Sequence, residues 1–399
     1  MIKRIFYRLF ILFFRFFPLR KNFVLLSNFN GNPYGDNIKY ITEELRKNSK
    51  LKFFLIVDKF YSNDKVPSYV IQVKLKSIKL AYLLETSKII ISNVRMGFFY
   101  KRTNQLYIQT WHGNGAMKKS EKDIIEVLDP GYVKGAQRDS KRIDIFLSGS
   151  RFLTELFFNS FWYSNYVCEC GCPRCDVLLR EDAKIRKKVY NSLSIQKEKT
   201  ICLYAPTFRN VDSTFHLNDL NFFELKEALD KKFNRDFVIL VRAHSNARKT
   251  LGRFKFDNNF IINATDYPDV MELLSVSSVL VSDYSSILHD FAFKYGPAFR
   301  FVPDLDEYRK DWGTYFSFDE YPYPYATESK ELCKLIMNFD EAKYNRQIDL
   351  FNKKIGLISR SDSSVEVSEL ISQFLSCKTK KEFLSKASGV LLTKESLIS

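Results

Sequence analysis

The sequence predicts an α/β protein made of two successive doubly wound, Rossmann-like domains. Three observations lead there. Short apolar runs alternate with helical stretches. A charged helical segment at mid-chain interrupts this alternation, which then restarts. Polar, glycine- or serine-bearing loops follow several of the apolar runs. Buried runs that alternate with helices indicate a parallel sheet covered on both faces. At 399 residues the chain exceeds one compact core and suggests about two domains.

The elements follow in order. Residues 1–21, MIKRIFYRLFILFFRFFPLRK, have no apolar stretch longer than Leu9 to Phe14. A spanning helix needs about 20 apolar residues, so this segment does not span. Arg8 and Arg15 interrupt the centre that a signal peptide would keep clean. On a helix Arg4, Arg8 and Arg15 form a stripe beside Phe6, Phe10, Phe13, Phe14 and Phe17, and Pro18 ends it. Such an amphipathic helix suits the surface of an anionic membrane leaflet. The alternative is an ordinary first helix packed on the protein.

From Phe23 to Ser27 an apolar run leads into Asn28-Phe29-Asn30-Gly31, a strand-then-loop signal. Ile38 to Leu45 has helical spacing. Strands are expected at 53–57, 89–92, 106–109, 143–148 and 167–170. Glu181 to Ser192 reads as a charged helix. Further strands are expected at 200–204, 237–242, 260–263, 279–282 and 298–302. This gives a membrane-associating segment 1–21, a first domain 22–180, a linker helix 181–198, a second domain 199–376 and a polar, loosely held tail 377–399. Two doubly wound domains in this arrangement match the glycosyltransferase B architecture, whose ligands bind beyond the carboxyl ends of the strands.

The composition narrows the partners. There are 62 Lys plus Arg against 46 Asp plus Glu, a balance of +16, which favours an anionic partner. No nucleic-acid-binding signature accompanies the charge, so a phosphorylated substrate or anionic lipid is the better expectation than nucleic acid. The seven Cys form an odd set in a large chain, which reads as reduced thiols. Cys168, Cys170, Cys172 and Cys175 crowd one short run, unlike the separated pairs of structural zinc sites. No metal and no cofactor are expected.

Four segments carry the chemistry. In Gln109-Thr-Trp-His-Gly-Asn-Gly-Ala-Met-Lys118, His112 lies in a loop after a strand. A histidine near neutrality can take a proton from a hydroxyl, and Gly113 lets a substrate approach; a lone loop His is also often structural. In Tyr204-Ala-Pro-Thr-Phe-Arg209, Thr207 and Arg209 suit a phosphate, or form a plain turn. In Val241-Arg-Ala-His-Ser245, His244 follows a strand, with Arg242 and Arg248 as nearby cations. In Val281-Ser-Asp-Tyr-Ser-Ser286, with Asp283, a strand enters a polar turn before a helix. Ser285 or Ser286 can cap that helix, whose free N–H groups can hold a phosphate.

Together, these segments resemble the CDP-glycerol glycerophosphotransferase family, which makes teichoic acids and polyol-phosphate capsules. The family patterns are approximately QTWHGTPLK, YAPTWR, RxHP and DYSS; this chain has QTWHGNGAMK, YAPTFR, RAHS and DYSS. Asn28-Phe-Asn-Gly31, Gly35-Asp36-Asn37 and Gly171-Cys-Pro-Arg-Cys-Asp176 resemble further family elements. The resemblance runs from about Phe23 to about Phe374. Asn114-Gly115-Ala116 replace the usual Thr-Pro-Leu, and Ser245 replaces a Pro.

The resemblance implies transfer of a polyol phosphate from CDP-glycerol or CDP-ribitol to a lipid-linked glycan, with release of CMP, on the cytoplasmic side of the membrane. It implies His112 as the base and His244 as a second catalytic residue. Thr207, Arg209, Arg242, Arg248, Asp283, Ser285 and Ser286 would serve the donor, and Asp36, Asn37, Gly113 and Asn114 the acceptor. His216 and His289 match no catalytic position, and His289 is expected to pack on its helix. Asp304-Leu-Asp306 matches an aspartate–tyrosine element rather than a metal site. A nucleotide-sugar glycosyltransferase and a non-catalytic membrane scaffold are the competing readings.

Overall fold

The structure is a computed structural model that describes residues 2–48, 50–97, 99–113, 118–180, 182–207, 216–243, 254, 256–257, 259–311 and 313–397. It is an α/β protein with two largely parallel sheets, each in its own compact unit. One unit comprises Met1–Asn114, Ser120–Asp176 and Leu357–Ser399; the other comprises Gly115–Lys119 and Val177–Gly356.

The first sheet contains β1 (Arg20–Ser27), β2 (Lys52–Val57), β3 (Val70–Lys74), β4 (Ser87–Ser92), β5 (Leu106–Gln109), β6 (Ile145–Leu147), β7 (Tyr166–Cys168) and β14 (Leu391–Leu392). The order across this eight-stranded sheet is β14-β7-β6-β5-β4-β1-β2-β3. Only β14, against β7, runs antiparallel. The chain leaves β1 towards β2 and returns on the other side at β4. The order therefore reverses at β1, between β2 and β4, which is the switch point of this sheet. The central strands are buried on both faces, hence their unbroken apolar runs. β3, a short edge strand, escapes the sequence reading because only Val70 and Val73 of its VIQVK are buried.

The second sheet contains β8 (Thr200–Tyr204), β9 (Phe237–Val241), β10 (Ile261–Asn263), β11 (Val279–Ser282), β12 (Ala298–Phe301) and β13 (Tyr325–Ala326). Its order is β10-β9-β8-β11-β12-β13, parallel throughout. Here the order reverses at β8, between β9 and β11.

The structure corrects the expected boundaries. The segment expected as a linker helix forms Ala183–Ser192 and packs into the second unit. Val189 and Tyr190 are buried, and Lys188 Nζ lies 2.8 Å from Glu272 Oε2. The second unit ends at Gly356, not 376. Gly356, at φ 59°, ends the helix Glu341–Ile355 in the left-handed conformation that favours glycine. The chain then rejoins the first unit. There the helix Ser363–Ser376 adds Val367, Leu370, Ile371 and Phe374 to the core. Nor is 377–399 a loose tail. Phe383, Ala387 and Leu391 join the same core, and Lys380 Nζ meets Asp144 Oδ1 at 2.7 Å. Polar composition concealed a short helix and an edge strand that each bury a single apolar face.

At the other terminus, α1 (Ile2–Phe14) packs on α3 (Ile78–Thr86). Ile11 is fully buried, and the Phe14 ring meets Tyr82 edge-on at 5.4 Å. Leu9, Phe10, Leu12 and Phe13 remain exposed, as does Phe16 beyond the helix, at 89%. Among the described residues no helix is long and apolar enough to cross a membrane.

Deleting residues 377–399 should lower the urea-unfolding free energy by several kcal/mol, since the loss of one buried Phe or Leu side chain costs about 2–5 kcal/mol. Phe383→Ala should reproduce part of that loss. Unchanged unfolding midpoints would return the segment to the status of a tail.

Candidate active site

At the carboxyl edge of the first sheet, the loops after β1, β4, β5 and β7 meet around His112. Trp111 precedes it at φ 52°, a left-handed conformation unusual for a bulky side chain. Several bonds hold this turn. Trp111 N–H donates to Gln109 Oε1 at 3.1 Å. Its carbonyl accepts from Thr110 Oγ1 at 2.8 Å and from Asn37 Nδ2 at 3.2 Å. The indole packs edge-on against Phe161 at 4.8 Å, and the Arg95 guanidinium lies 5.9 Å from its centroid.

His112 Nδ1 lies 2.7 Å from the Asn93 carbonyl oxygen. A carbonyl only accepts, so Nδ1 carries the proton in the neutral ring and Nε2 carries the lone pair. Burial pushes the His112 pKa below its ordinary value. The Asn93 bond, Asp36 and Glu121 oppose that shift, and Arg174 adds to it. In this neutral tautomer the ring carries its lone pair on Nε2.

The two predicted acceptor residues of the β1–α2 connection, where α2 is Asp36–Leu45, turn out to be braces. Asn37 is 2% exposed. Its side chain donates to the Trp111 carbonyl at 3.2 Å and accepts from Arg174 N–H at 3.0 Å. Asp36 Oδ2 pairs with Arg174 Nη1 at 2.5 Å. Gly113, at φ 157°, follows His112 directly. Asn114 lies outside the described residues.

The Gly171–Asp176 element ties this edge to the end of the chain. A Cβ at Gly171 would lie 2.5 Å from Ser363 Oγ, and its φ is 84°. Asp176 accepts from Ser363 N–H at 3.1 Å, Ser364 N–H at 2.8 Å and Ser364 Oγ at 2.5 Å. It thereby satisfies the open N–H groups at the start of the helix Ser363–Ser376. Cys168, Cys170, Cys172 and Cys175 are buried and form no disulfide.

In the second unit the predicted donor residues divide. Asp283 Oδ2 accepts from Thr207 N–H at 2.8 Å and Thr207 Oγ1 at 2.9 Å, and Asp283 Oδ1 accepts from Tyr284 N–H at 2.6 Å. The Thr207 hydroxyl proton is thus already engaged, and Asp283 is 2% exposed. Both hold the loop after β8 against the loop after β11 rather than offer donors to a phosphate. Arg242 Nη1 donates to the carbonyls of Ala264 at 3.3 Å and Tyr267 at 2.5 Å, bracing the end of β10.

Ser286 occupies the cap position of the helix Ile287–Ala292 without a side-chain capping bond. Ser285 Oγ accepts from Ile287 N–H at a long 3.4 Å. The expected cap is therefore weak, and both half-buried hydroxyls keep further bonding capacity. Arg209, His244 and Arg248 lie outside the described residues.

His289 is structural, as expected. It stacks on Phe351 at 5.4 Å, and its Nδ1 lies 3.0 Å from Tyr323 Oη. Burial and then Arg300 push its pKa down to about 3. Asp304 accepts from Tyr284 Oη at 3.1 Å, and the Tyr284 and Tyr308 rings stack at 3.4 Å. Sequence reasoning missed Asn93 and Arg95, and it placed Asn28 and Phe29 in a family-like element without giving either a role. Asn93 acts on His112 through its main-chain carbonyl, which no residue type announces.

Parallel α/β units with polar loops beyond the strand ends, one of them carrying His112, place the chain in the class of doubly wound α/β proteins whose ligands bind at the carboxyl edge. Residues 9–373 match the family described as CDP-Glycerol:Poly(glycerophosphate) glycerophosphotransferase, and the chain belongs to that family. The teichoic acid poly(glycerol phosphate) polymerase of Staphylococcus epidermidis is 31% identical over 364 residues, covering 87% of this chain and 50% of that protein. The teichoic acid glycerol-phosphate transferase of Staphylococcus aureus is 29% identical over 370 residues, covering 88% of this chain and 93% of that protein. The chain thus spans half of the S. epidermidis polymerase and nearly all of the shorter S. aureus transferase. A solved structure of the wall teichoic acid polymerase TagF soaked with CDPG has a TM-score of 0.81 at 28% identity. It covers 92% of this chain and 93% of that one.

The depressed pKa gives a test independent of turnover. His112 should titrate below 6.5 in the folded protein, so the ring stays neutral at pH 7 and charges only on acidification. Because the folded value lies below the unfolded one, the stability this group contributes is present above pH 6.5 and is lost as pH falls. NMR titration of ¹⁵N-labelled histidine, assigned with His112→Gln, reads the midpoint; a value at or above 6.5 would contradict the burial argument.

Proposed function

We propose that the chain transfers glycerol phosphate from CDP-glycerol to a hydroxyl of a lipid-linked glycan or growing polymer in teichoic-acid synthesis, releasing CMP. The observation that carries this reading is His112, held as a neutral base at the carboxyl edge of a parallel sheet, within the family named above. The acceptor oxygen attacks the phosphorus that bears glycerol, and His112 Nε2 takes the hydroxyl proton. The bond from that phosphorus to the bridging oxygen breaks, and CMP leaves with the electron pair. Charge on the departing phosphate calls for cations and N–H donors. The family resemblance assigns that work to Arg209 and His244, with Arg248, Ser285 and Ser286 beside them.

Glycerol is preferred to ribitol because the glycerol-phosphate relatives reach 31% identity, whereas the ribitol-phosphate relatives reach 27%. The glycosyltransferase B arrangement of the two units belongs to the same reading.

The same reading places the enzyme on the cytoplasmic face of the membrane. Exposed Phe side chains on and beyond α1 provide insertion. Beside them the loop 100–104 gathers cations. Arg15 lies 5.8 Å from the Tyr100 ring centroid, and Arg102 Nη1 donates to the Phe17 carbonyl at 2.5 Å. Lys101 and Lys380 share Asp144 Oδ1, at 2.5 and 2.7 Å. Lys88 Nζ donates to the Asn104 carbonyl at 2.7 Å. Burial, then Lys21 and Lys380, push the Lys88 pKa down, as expected where positive charge accumulates. Glu85, buried next to Arg15 and Arg102, is raised to about 7 and offsets little of it. Arg15 is exposed and Arg102 half-buried, and an anionic leaflet complements these two.

Two measurements test the proposal. With a lipid-linked acceptor, CDP-glycerol should give CMP release, and UDP-sugars should give no UDP release. His112→Ala should slow turnover by about 10²–10⁴-fold, the usual range for a general base, while donor affinity stays near normal. Near-normal turnover in folded His112→Ala would remove it from the mechanism. Removing residues 1–20 should reduce co-sedimentation with phosphatidylglycerol vesicles. Salt should weaken binding of the intact chain only partly, because Phe insertion is not screened. Equal binding by both forms would leave α1 as a packed helix.

A further inference from the structure

The loop after β1 contains a backbone anomaly that the chemistry described so far does not use. Phe29, Asn30 and Gly31 have successive positive φ values of 43°, 55° and 134°. Gly31 has a local reason, since a Cβ there would lie 2.8 Å from Asp58 N. Phe29 has no such reason. A bulky aromatic residue is disfavoured in this region, where glycine or asparagine would sit more easily. The ring is not taken up by the core either, because Phe29 is 38% exposed. Its neighbour is His112, with ring centroids 5.2 Å apart and planes at 59°. Trp111 approaches the same imidazole at 4.5 Å.

The backbone of Phe29 is fixed by the residue that fixes His112. Asn93 is fully buried. Its side-chain oxygen accepts from Phe29 N–H at 2.8 Å, and its amide donates to Asn28 Oδ1 at 2.7 Å. Its main-chain carbonyl accepts from His112 Nδ1. Asn28 and Asn93 directly follow β1 and β4, the strands that flank the switch point. One asparagine therefore sets the tautomer of the base and holds the aromatic ring beside it.

We propose that Phe29 and Asn93 are positioning residues for His112. Asn93 orients the imidazole and fixes its proton on Nδ1. Phe29, kept in a disfavoured conformation, restrains the ring's orientation and shields it from water. Strain retained at a site whose surroundings over-determine it is what function, rather than stability, maintains. The inference rests on His112 acting as the base.

The test sets stability against turnover. Phe29→Gly removes the ring and relieves the positive φ, so its Tm should equal or exceed that of the parent. Its kcat should fall by about tenfold or more, since a misplacement of 1 Å can cost about 10²-fold, while KM for CDP-glycerol changes little. Phe29→Tyr should restore kcat to within about threefold, because the ring is retained. A packing role predicts the reverse for Phe29→Gly, with Tm lowered and kcat unchanged, and that result would overturn the proposal. So would a tyrosine variant as slow as the glycine one.

Asn93→Asp keeps an acceptor for Phe29 N–H and places a carboxylate near the imidazole. The His112 midpoint, read by NMR, and the acid limb of kcat/KM should both move up by about one unit, the scale of a nearby opposite charge. The main-chain bond to His112 survives in this variant, so the side chain's role is read from Asn93→Ala, which loses the bond to Phe29 N–H: a parent-like kcat there overturns it. If the parent releases no CMP from CDP-glycerol, the proposed function fails, but the NMR midpoint and the Tm comparison still decide the holder. If the parent turns over and Phe29→Gly turns over equally, the function stands and the holder fails.

Discussion

The hydrogen bond from His112 to the Asn93 carbonyl is the constraint on which the first unit's site depends. An imidazole with both nitrogens free exchanges tautomers and rotates. Bonded at Nδ1 to an oxygen that cannot donate, it keeps one tautomer and directs its lone pair from Nε2. The carbonyl is steady because Asn93 immediately follows β4, inside a sheet paired on both sides of that strand. Its own N–H donates to the Ser27 carbonyl at 3.3 Å. The base thus inherits its position from backbone pairing, the stiffest part of the molecule.

Around that bond, charged and polar side chains act mainly as braces. Arg95 shows the pattern. Its guanidinium reaches Glu121, Ser140 and the Phe161 carbonyl, and it lies near the Trp111 ring. Asn37 and Arg174 link the start of α2 to the loop after β7 and to Trp111. Asp283 does the same work in the second unit, where it gathers the N–H groups of Thr207 and Tyr284. Buried polar groups need partners, and here those partners are the loops that the chemistry requires to stay in place. Motif residues of this kind keep loops in register.

The course of the chain matters as much. The first unit is completed by residues that follow the second, and Asp176 and Gly171 receive the returning helix at Ser363. Both the departure and the return of the chain are thereby anchored on the unit that carries His112. At the opposite terminus, α1 buries Ile11 and packs a half-buried Phe14 on Tyr82 but leaves Phe10, Phe13 and Phe16 outside. One helix thus serves as packing element and exposed apolar surface together.

The sequence by itself determined the parallel α/β class, the positions of the central strands and the loop that carries His112. Strands buried on both faces must be written as continuous apolar runs, and polar motifs after such runs fall at the carboxyl edge. Resemblance of four short segments to one family was also legible, because those segments are local. Only the tertiary structure decided which of the motif residues brace and which are free. Asn37 and Thr207 read as ligand contacts until the partners of their polar atoms were known, and those partners lie far along the chain. The roles of Asn93 and Phe29 were invisible for a different reason. One works through a main-chain oxygen and the other through a positive φ, and neither is a property of residue type. The allegiance of 357–399 to the first unit likewise depends on which sheet a short amphipathic helix meets, which its own composition does not specify.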